Sequence, residues 1–503
     1  MIVRRKLALA ALGVCLATSA CGTTLDDNAF TTVTNGGANG TDGGTVTDTS
    51  TGGTTGGTTG GSTTGLGVGG GTTGSGLSGS TGASSSASGS TTGSAGSTSG
   101  TTGAVAPTKV DKKLAPVQIG IFYYTGVPLS NSSDPVAQPK AVIKYLNAHG
   151  GLAGHQIVGV YTPVNPEDTA PYATTLQKVC DAWTQDNHVI AGISTGNAPI
   201  DLQRCLNARH VVGVGGASTV QKALSDYNAL PYMIAPSELV SEVQDRAMVD
   251  SLWRQGFFKK GDKIGVFYET YDGSAHAYNN ALLPALASHG LKVTDSFAAH
   301  FPESTPELAG ALASLQTPTL RMKAEGVNKI IFAGTGEMDT VSQYADSQNY
   351  YPAYGFNTNE QPIVKEQLKY AHKALPGSMG VGWQPLVDIS VHSPAPNSAA
   401  RACLKIMDTV GGSQGAVQQW AAETYCDTIE VLAAGAAMNP QEKMTGTTLL
   451  EGLNRLGTSY LSPFENTTLM NANHRWGTAE ARDFAYFTSC WCYKYTSGPH
   501  PIS

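Results

Sequence analysis

The sequence has little charge and no basic run. Charged residues make up 14% of the 503. Beyond residue 20 no cluster of Lys and Arg is present, which excludes the electrostatic footprint of a nucleic-acid binder. The formal net charge is −7; Arg4, Arg5 and Lys6 are the only charges among the first 20 residues, so the remainder carries −10. The 11 histidines show no metal-ligand spacing, and no pair of carboxylates stands out as general acid and base. No stretch is long and apolar enough for a permanent membrane span. Gly334-Thr335-Gly336-Glu337 lacks the continuation that a phosphate loop needs. The sequence offers groups for holding a molecule and none clearly for transforming one, and it implies no metal and no cofactor.

The first 20 residues have the form of an export signal, with a basic start and a short apolar stretch, Leu7 to Ala20. Thr18-Ser19-Ala20-Cys21 resembles a bacterial lipobox, with Thr18 where Leu is usual. The resemblance implies lipidation at Cys21 and attachment to a membrane from outside the cytoplasm. Residues 22–108 hold no Lys or Arg and one aromatic, Phe30. Such a composition buries too little apolar surface to offset its ordering entropy, so 21–108 is predicted to be a disordered Gly/Thr/Ser tether. As a random coil it spans about 50 Å.

Residues 109–503 alternate apolar strands with amphipathic helices. VQIGIFYY is a strand; AVIKYLNAHGG is a helix, with Val142, Tyr145 and Leu146 on one face and Gly150-Gly151 as its stop. QIVGVYT, HVIAGIS and HVVGVGG continue the strands, with helices at YATTLQKVCDAW and DLQRCLNARH between them. Strict βαβ alternation predicts a parallel sheet covered on both faces. A second series starts after PYMIAPS with DKIGVFYE and NKIIFAGTG. The helical material after residue 397 has too little sheet for a third domain and is expected to complete the first two.

Six cysteines lie beyond Cys15 and Cys21. Right-handed crossovers place the second and third helices side by side, so Cys180 is predicted to pair with Cys205, closing a loop worth roughly 3 kcal/mol. Cys403 and Cys426, on successive helices, are paired next. Cys490 and Cys492 remain for each other or for another partner.

Four segments in this order are similar to the type I periplasmic solute-binding proteins, in particular the branched-chain amino acid and amide group of ABC importers. They are IKYLNAHGGLAGHQIVGV, PYMIAPSELVSEVQDRAMVDSLWRQGF, GVFYETYDGSAHAYNNALLPALASHG and AAETYCDTIEVLAAGAAM. The resemblance implies an α/β fold of two Rossmann-like lobes joined by three crossover segments. Lobe one would be 116–236 and 386–460, lobe two 237–377 and 461–503, with a hinge crossover at 378–385. It implies a small polar ligand (an amino acid, an amide or a related carboxylate), delivery to an ABC permease, and no catalytic residue. A sensor with the same clamp and no permease is the nearest alternative.

The resemblance also implies the ligand contacts. On the first lobe they are Ser194, Thr195 and Gly196, with Ala217 and Thr219 after the next strand. On the second they are Tyr271 or Asp272, Thr335 to Glu337, and Asn357. In the family's amino-acid binders an acidic residue meets the ligand ammonium near Asn357; here that position is neutral, and Glu337 and Glu360 are the nearby acidic substitutes. Trp383 stands near the hinge as an aromatic ligand wall or as core. The loop Tyr124 to Asp134 is a further wall. Gly192-Ile193-Ser194-Thr195-Gly196 also matches a nucleophile elbow. With His149-Gly150-Gly151, Asp408 or Asp427, and His474, it supplies the letters of an α/β hydrolase built on Ser194.

Overall fold

The computed structural model describes residues 109–125, 134–165, 172–194, 200–216, 222–300, 305–334, 336–390, 396–411, 416–464 and 468–502. The expected leader, Cys21 and the tether lie outside the described residues, as do Thr195, Gly196, Ala217, Thr219, Thr335 and most of the loop after Tyr124.

Strands β1 (Val117–Tyr124), β2 (Ile157–Val164), β3 (Ala191–Ser194), β4 (Val212–Gly215) and β5 (Met233–Ile234) form one sheet in the order β2-β1-β3-β4-β5. Every pair is parallel. Period-two alternation divides β1 between two cores. Ile119 and Ile121 join the cluster under helices Ala137–Ala148, Ser398–Asp408, Ala416–Met438 and Gly446–Leu453, whereas Phe122 faces Leu176, Val179 and Trp183. The late helices therefore complete the first lobe. On the Phe122 side glycine is a packing requirement. A methyl group on Gly120 or on Gly192 would lie 2.4 Å from the Trp183 ring, which rests flat against the sheet and donates from Nε1 to Thr162 Oγ1 at 2.8 Å. Helices Tyr172–Asp181 and Ile200–Ala208 cover this face and are joined by a Cys180–Cys205 disulfide. Disulfides also join Cys403 to Cys426 and Cys490 to Cys492.

The second sheet contains β6 (Ile264–Glu269), β7 (Val293–Ala299), β8 (Lys329–Phe332), β9 (Ala353–Asn357), β10 (Met379–Gly382), β11 (Glu480–Phe487), β12 (Cys492–Tyr495) and β13 (His500–Pro501). Its main path is β12-β11-β10-β9-β8-β6-β7, with β13 on β11. Strands β6 to β10 are parallel; the strands after residue 479 add an antiparallel edge. Met379–Gly382, inside the expected hinge segment 378–385, is a strand of this sheet, and the chain leaves it at Trp383. The parallel parts of both sheets have the same relative strand order, so each has one topological switch point: between β1 and β3, and between β6 and β8.

Three segments cross between the sheets, after β5, after β10 and before β11. They are bonded to one another. Ala235 N donates to Arg475 O at 2.9 Å and Gly477 N to Ala235 O at 2.7 Å, while Gln384 Nε2 reaches Ser237 O at 3.2 Å. Gly477 is required here, because a methyl group on it would lie 1.8 Å from Pro236 O. Among the described residues no helix is long and apolar enough to cross a membrane.

Candidate functional site

In open parallel sheets a ligand binds beyond the carboxyl ends of the strands, at the switch point. In the first lobe that edge is made by the ends of β1, β3 and β4. Ser194 closes β3 and is 1% exposed; its Oγ donates to Val214 O at 3.3 Å. Gly216 N donates to Ser194 O at 3.0 Å, tying the ends of β3 and β4 together. A small cavity of about 10 Å³, room for one water, opens beside Gly216 and is lined also by Gln203, Lys222, Tyr227 and Glu238. Burial lowers the Lys222 ammonium to about 8, against the opposing pull of Glu238 and Asp226.

The hydrolase parts are not assembled around Ser194. His474 Nδ1 faces Leu469 O at 2.8 Å, and its ring lies against Trp476 on the third crossover. Asp427 Oδ1 accepts from Tyr460 OH at 2.8 Å. His149 caps its own helix, with Nδ1 at 2.7 Å from Tyr145 O, and Asp408 is exposed at the end of helix Ser398–Asp408.

The second lobe's edge holds the denser chemistry. Ser274 Oγ accepts from Glu269 N at 3.1 Å and donates to Ala333 O at 3.4 Å, fastening the ends of β6 and β8 at the switch point. Tyr271 is half-buried and sits at the N-cap of the helix Asp272–Ala277. Glu337 opens helix Glu337–Ser347, where the helix dipole favours a carboxylate. Its carboxyl lies over the end of β8 in space that Gly334 leaves free; a methyl group on Gly334 would stand 2.2 Å from Glu337 Oε1.

Asn357 ends β9, fully buried. Its Oδ1 accepts from Asn359 N at 2.9 Å and caps the turn Thr358–Glu360, while Nδ2 has no partner among the described residues. The turn delivers Glu360 inward. Lys365 Nζ lies 3.1 Å from Glu360 Oε2 and 2.6 Å from Asp339 Oδ1, and both Glu360 and Lys365 are buried. Burial, then the charges of Glu269 and Glu360, hold the Glu337 carboxyl well above the usual carboxylate range. Burial also raises Glu360, with Lys365 opposing. Thr358 Oγ1 donates to Asp388 Oδ1 and accepts from Trp383 N, each at 2.9 Å, so the turn is anchored to the start of the second crossover.

Trp383 is a core residue in this structure. It is fully buried in the apolar cluster that runs through Tyr227, Ala235, Phe257 and Trp476. Among the described residues, then, Ser194 borders one edge, and Tyr271, Asn357, Glu337 and Glu360 gather at the other. Sequence reasoning missed Glu269, Asp339 and Lys365. Glu269 had one available signal, a charged residue closing an otherwise apolar strand, IGVFYE. No group of His, Cys, Asp or Glu among the described residues is arranged to hold a metal ion.

Comparison with known proteins matches the model of the periplasmic binding protein family to residues 116–482. No curated protein matches the chain. Among solved structures, it is similar to an ABC transporter substrate-binding protein from Desulfitobacterium hafniense, also solved in complex with Leu. The two are 15% identical with a TM-score of 0.51, over 76% of this chain and 99% of that one. A solute-binding protein of an ABC transporter from Rhodopseudomonas palustris HaA2, in complex with p-hydroxybenzoic acid, is 11% identical with a TM-score of 0.57, over 77% and 98%. A possible leucine/isoleucine/valine-binding protein from Rhodopirellula baltica SH 1 is 12% identical with a TM-score of 0.54, over 76% and 97%. At these identities the likeness is one of fold.

Proposed function

This chain belongs to the periplasmic binding protein family, and on that premise we propose that it captures a small polar ligand bearing a cationic nitrogen and hands it to an ABC permease. Capture takes place between the two switch-point edges. The segments that follow β3 and β4 are rich in small polar residues, a composition that suits a carboxylate or amide oxygen. Ser194, Thr195, Gly196, Ala217 and Thr219 are the residues proposed for it. Tyr271, Thr335, Glu337 and Glu360 are the residues proposed for the opposing wall. Lipidation at Cys21 would hold the body outside the cytoplasmic membrane at the end of the 21–108 tether.

One observation carries the choice of ligand. Buried carboxyls of Glu337 and Glu360 lie at the second lobe's edge, and Lys365 is shared between Glu360 and Asp339. An anion placed there would meet uncompensated negative charge, whereas an ammonium or amidinium group would relieve it. This supports an amino acid or related amine over an aromatic carboxylate.

A thermal-shift screen of the protein against amino acids, amides, ureas and small carboxylates tests the reading. Ligand at about 100 times its Kd adds roughly 2.7 kcal/mol, which moves the melting transition by several degrees. A shift confined to amine-bearing compounds is expected. Shifts confined to simple carboxylates, or silence across the amines, would reject the cationic ligand. Reconstituted uptake with the partner permease separates delivery from sensing.

A further inference from the structure

We propose that the Cys490–Cys492 disulfide is a thiol–disulfide exchange site, opened and reclosed by an external dithiol while the fold and the other two disulfides stay intact.

Its place in the fold carries the inference. Strands β11 and β12 form an antiparallel hairpin in which Phe487 pairs with Cys492, and residues 488–491 make its tip. Thr488, Ser489 and Trp491 are exposed there, Trp491 by 45%, and Cys490 is half-buried. The Cys180–Cys205 and Cys403–Cys426 disulfides are placed differently. They span separations of 25 and 23, and Cys180, Cys403 and Cys426 are fully buried in two of the apolar clusters.

Three properties make the hairpin link the labile one. A bond across a single residue closes almost no loop, so it gains little of the chain entropy that protects a long-range disulfide. It encloses Trp491 at a φ of 56°, a conformation that a bulky residue rarely adopts, and opening the link frees that residue. An incoming thiolate can reach Cys490, whereas Cys492 is 2% exposed. Exposed and constrained disulfides are the ones that exchange.

The hairpin has other anchors. Tyr493 is fully buried among Phe356, Phe484 and Tyr486, and its N donates to Glu366 Oε1 at 2.5 Å. Tyr495 OH donates to Asp388 Oδ2 at 2.7 Å. These contacts begin one residue beyond Cys492, so β12 keeps its place when the sulfurs part.

Exchange takes two steps. A thiolate of the dithiol attacks Cys490 Sγ and the bond between the two Sγ atoms breaks. Cys492 leaves as a thiolate, with Lys494 on the same face of β12 to favour the anion, and takes up a proton. The dithiol's second thiolate then attacks the dithiol sulfur now bonded to Cys490, and Cys490 leaves as a thiolate and is protonated in turn. The dithiol ends as a disulfide, having passed two electrons and two protons to the pair. The reverse sequence recloses it.

The test treats the whole native protein with graded dithiothreitol or with reduced thioredoxin, traps thiols with iodoacetamide and maps them by peptide mass spectrometry. The two reductants distinguish a free dithiol from a protein one. Label is expected on Cys490 and Cys492 at a reductant concentration about tenfold or more below that which labels Cys180, Cys205, Cys403 and Cys426. The selectively reduced protein should keep its melting transition, and oxidised glutathione should restore the bond. Simultaneous opening of all three disulfides, or resistance of Cys490–Cys492 to both reductants, overturns the proposal. So does loss of the melting transition on selective reduction, which would make the bond a structural staple.

Discussion

Asp388 offers a direct test of how this fold stores charge. It is fully buried and accepts hydrogen bonds from Thr358 Oγ1 at 2.9 Å, Gln384 N at 2.9 Å and Tyr495 OH at 2.7 Å. Burial nonetheless outweighs these donors and raises its carboxyl from 3.8 to about 7. A folded-state value above the unfolded one means that the folded chain binds the extra proton. Its contribution to stability is thus complete below about pH 4 and is lost as the pH rises toward 7. At about 1.4 kcal/mol per unit, linkage assigns this one residue a loss of about 2.5 kcal/mol between pH 5 and pH 8. Urea unfolding of the wild type and of Asp388→Asn across that range measures it. Asparagine turns one acceptor into a donor, so a constant offset between the proteins is expected at every pH. The slope decides. The buried Asp427 and half-buried Glu430, raised to about 6 and about 7, also shift with pH but are common to both proteins and cancel in the difference. Stability curves that stay parallel from pH 5 to pH 8 would refute the reasoning.

Three further outcomes follow from packing and chain connectivity. Gly192→Ala drives a methyl group to within 2.4 Å of the buried Trp183 ring and should cost about 1–3 kcal/mol or more by overpacking, read as a lower urea midpoint; unchanged stability would contradict the flat indole on β3. Replacing Cys180 and Cys205 together by serine opens a link of sequence separation 25, worth roughly 3 kcal/mol in the chain-entropy model. The same change at Cys490 and Cys492, of separation 2, should cost far less, so equal losses would reject loop closure as the source. Gly477→Ala places a methyl group 1.8 Å from Pro236 O, where two crossovers are bonded together. It should lower the melting temperature and change the affinity for the ligand found in the screen, and normal values for both would mean that the crossovers part freely.

The elements that the sequence made legible are those whose signals are local. Gly150 and Gly151 read as a helix stop, and they adopt φ of 110° and 62°, with Gly151 N bonded back to Leu146 O at 2.8 Å. Cys180 and Cys205 read as neighbours because strand order and crossover hand together fix where their helices lie. Position 379–382 was harder. MGVG is apolar enough for a strand, but only its neighbours β9 and β11, the latter about 100 residues further on, make it an interior one. The polar wall of the second lobe was the least legible part, because no local pattern joins its members. Glu269 looks like a strand end, Lys365 in QPIVKEQ like a solvated helix residue, and Asp339 like an ordinary first-turn acid. Strand order brings them together by setting β6, β8 and β9 side by side.

That ordering also changes the meaning of Asn357. As a neutral residue at the end of β9, it counts against an amine ligand if every position is judged by its own side chain. In the fold its Oδ1 is spent on Asn359 N, and this bond shapes the turn that turns Glu360 inward. A carboxylate at 357 would also accept that bond, but it would add negative charge to an edge that already holds the buried carboxyls of Glu337 and Glu360. The neutral amide keeps the cap without that repulsion. Asn357 thus caps the turn that carries Glu360 inward.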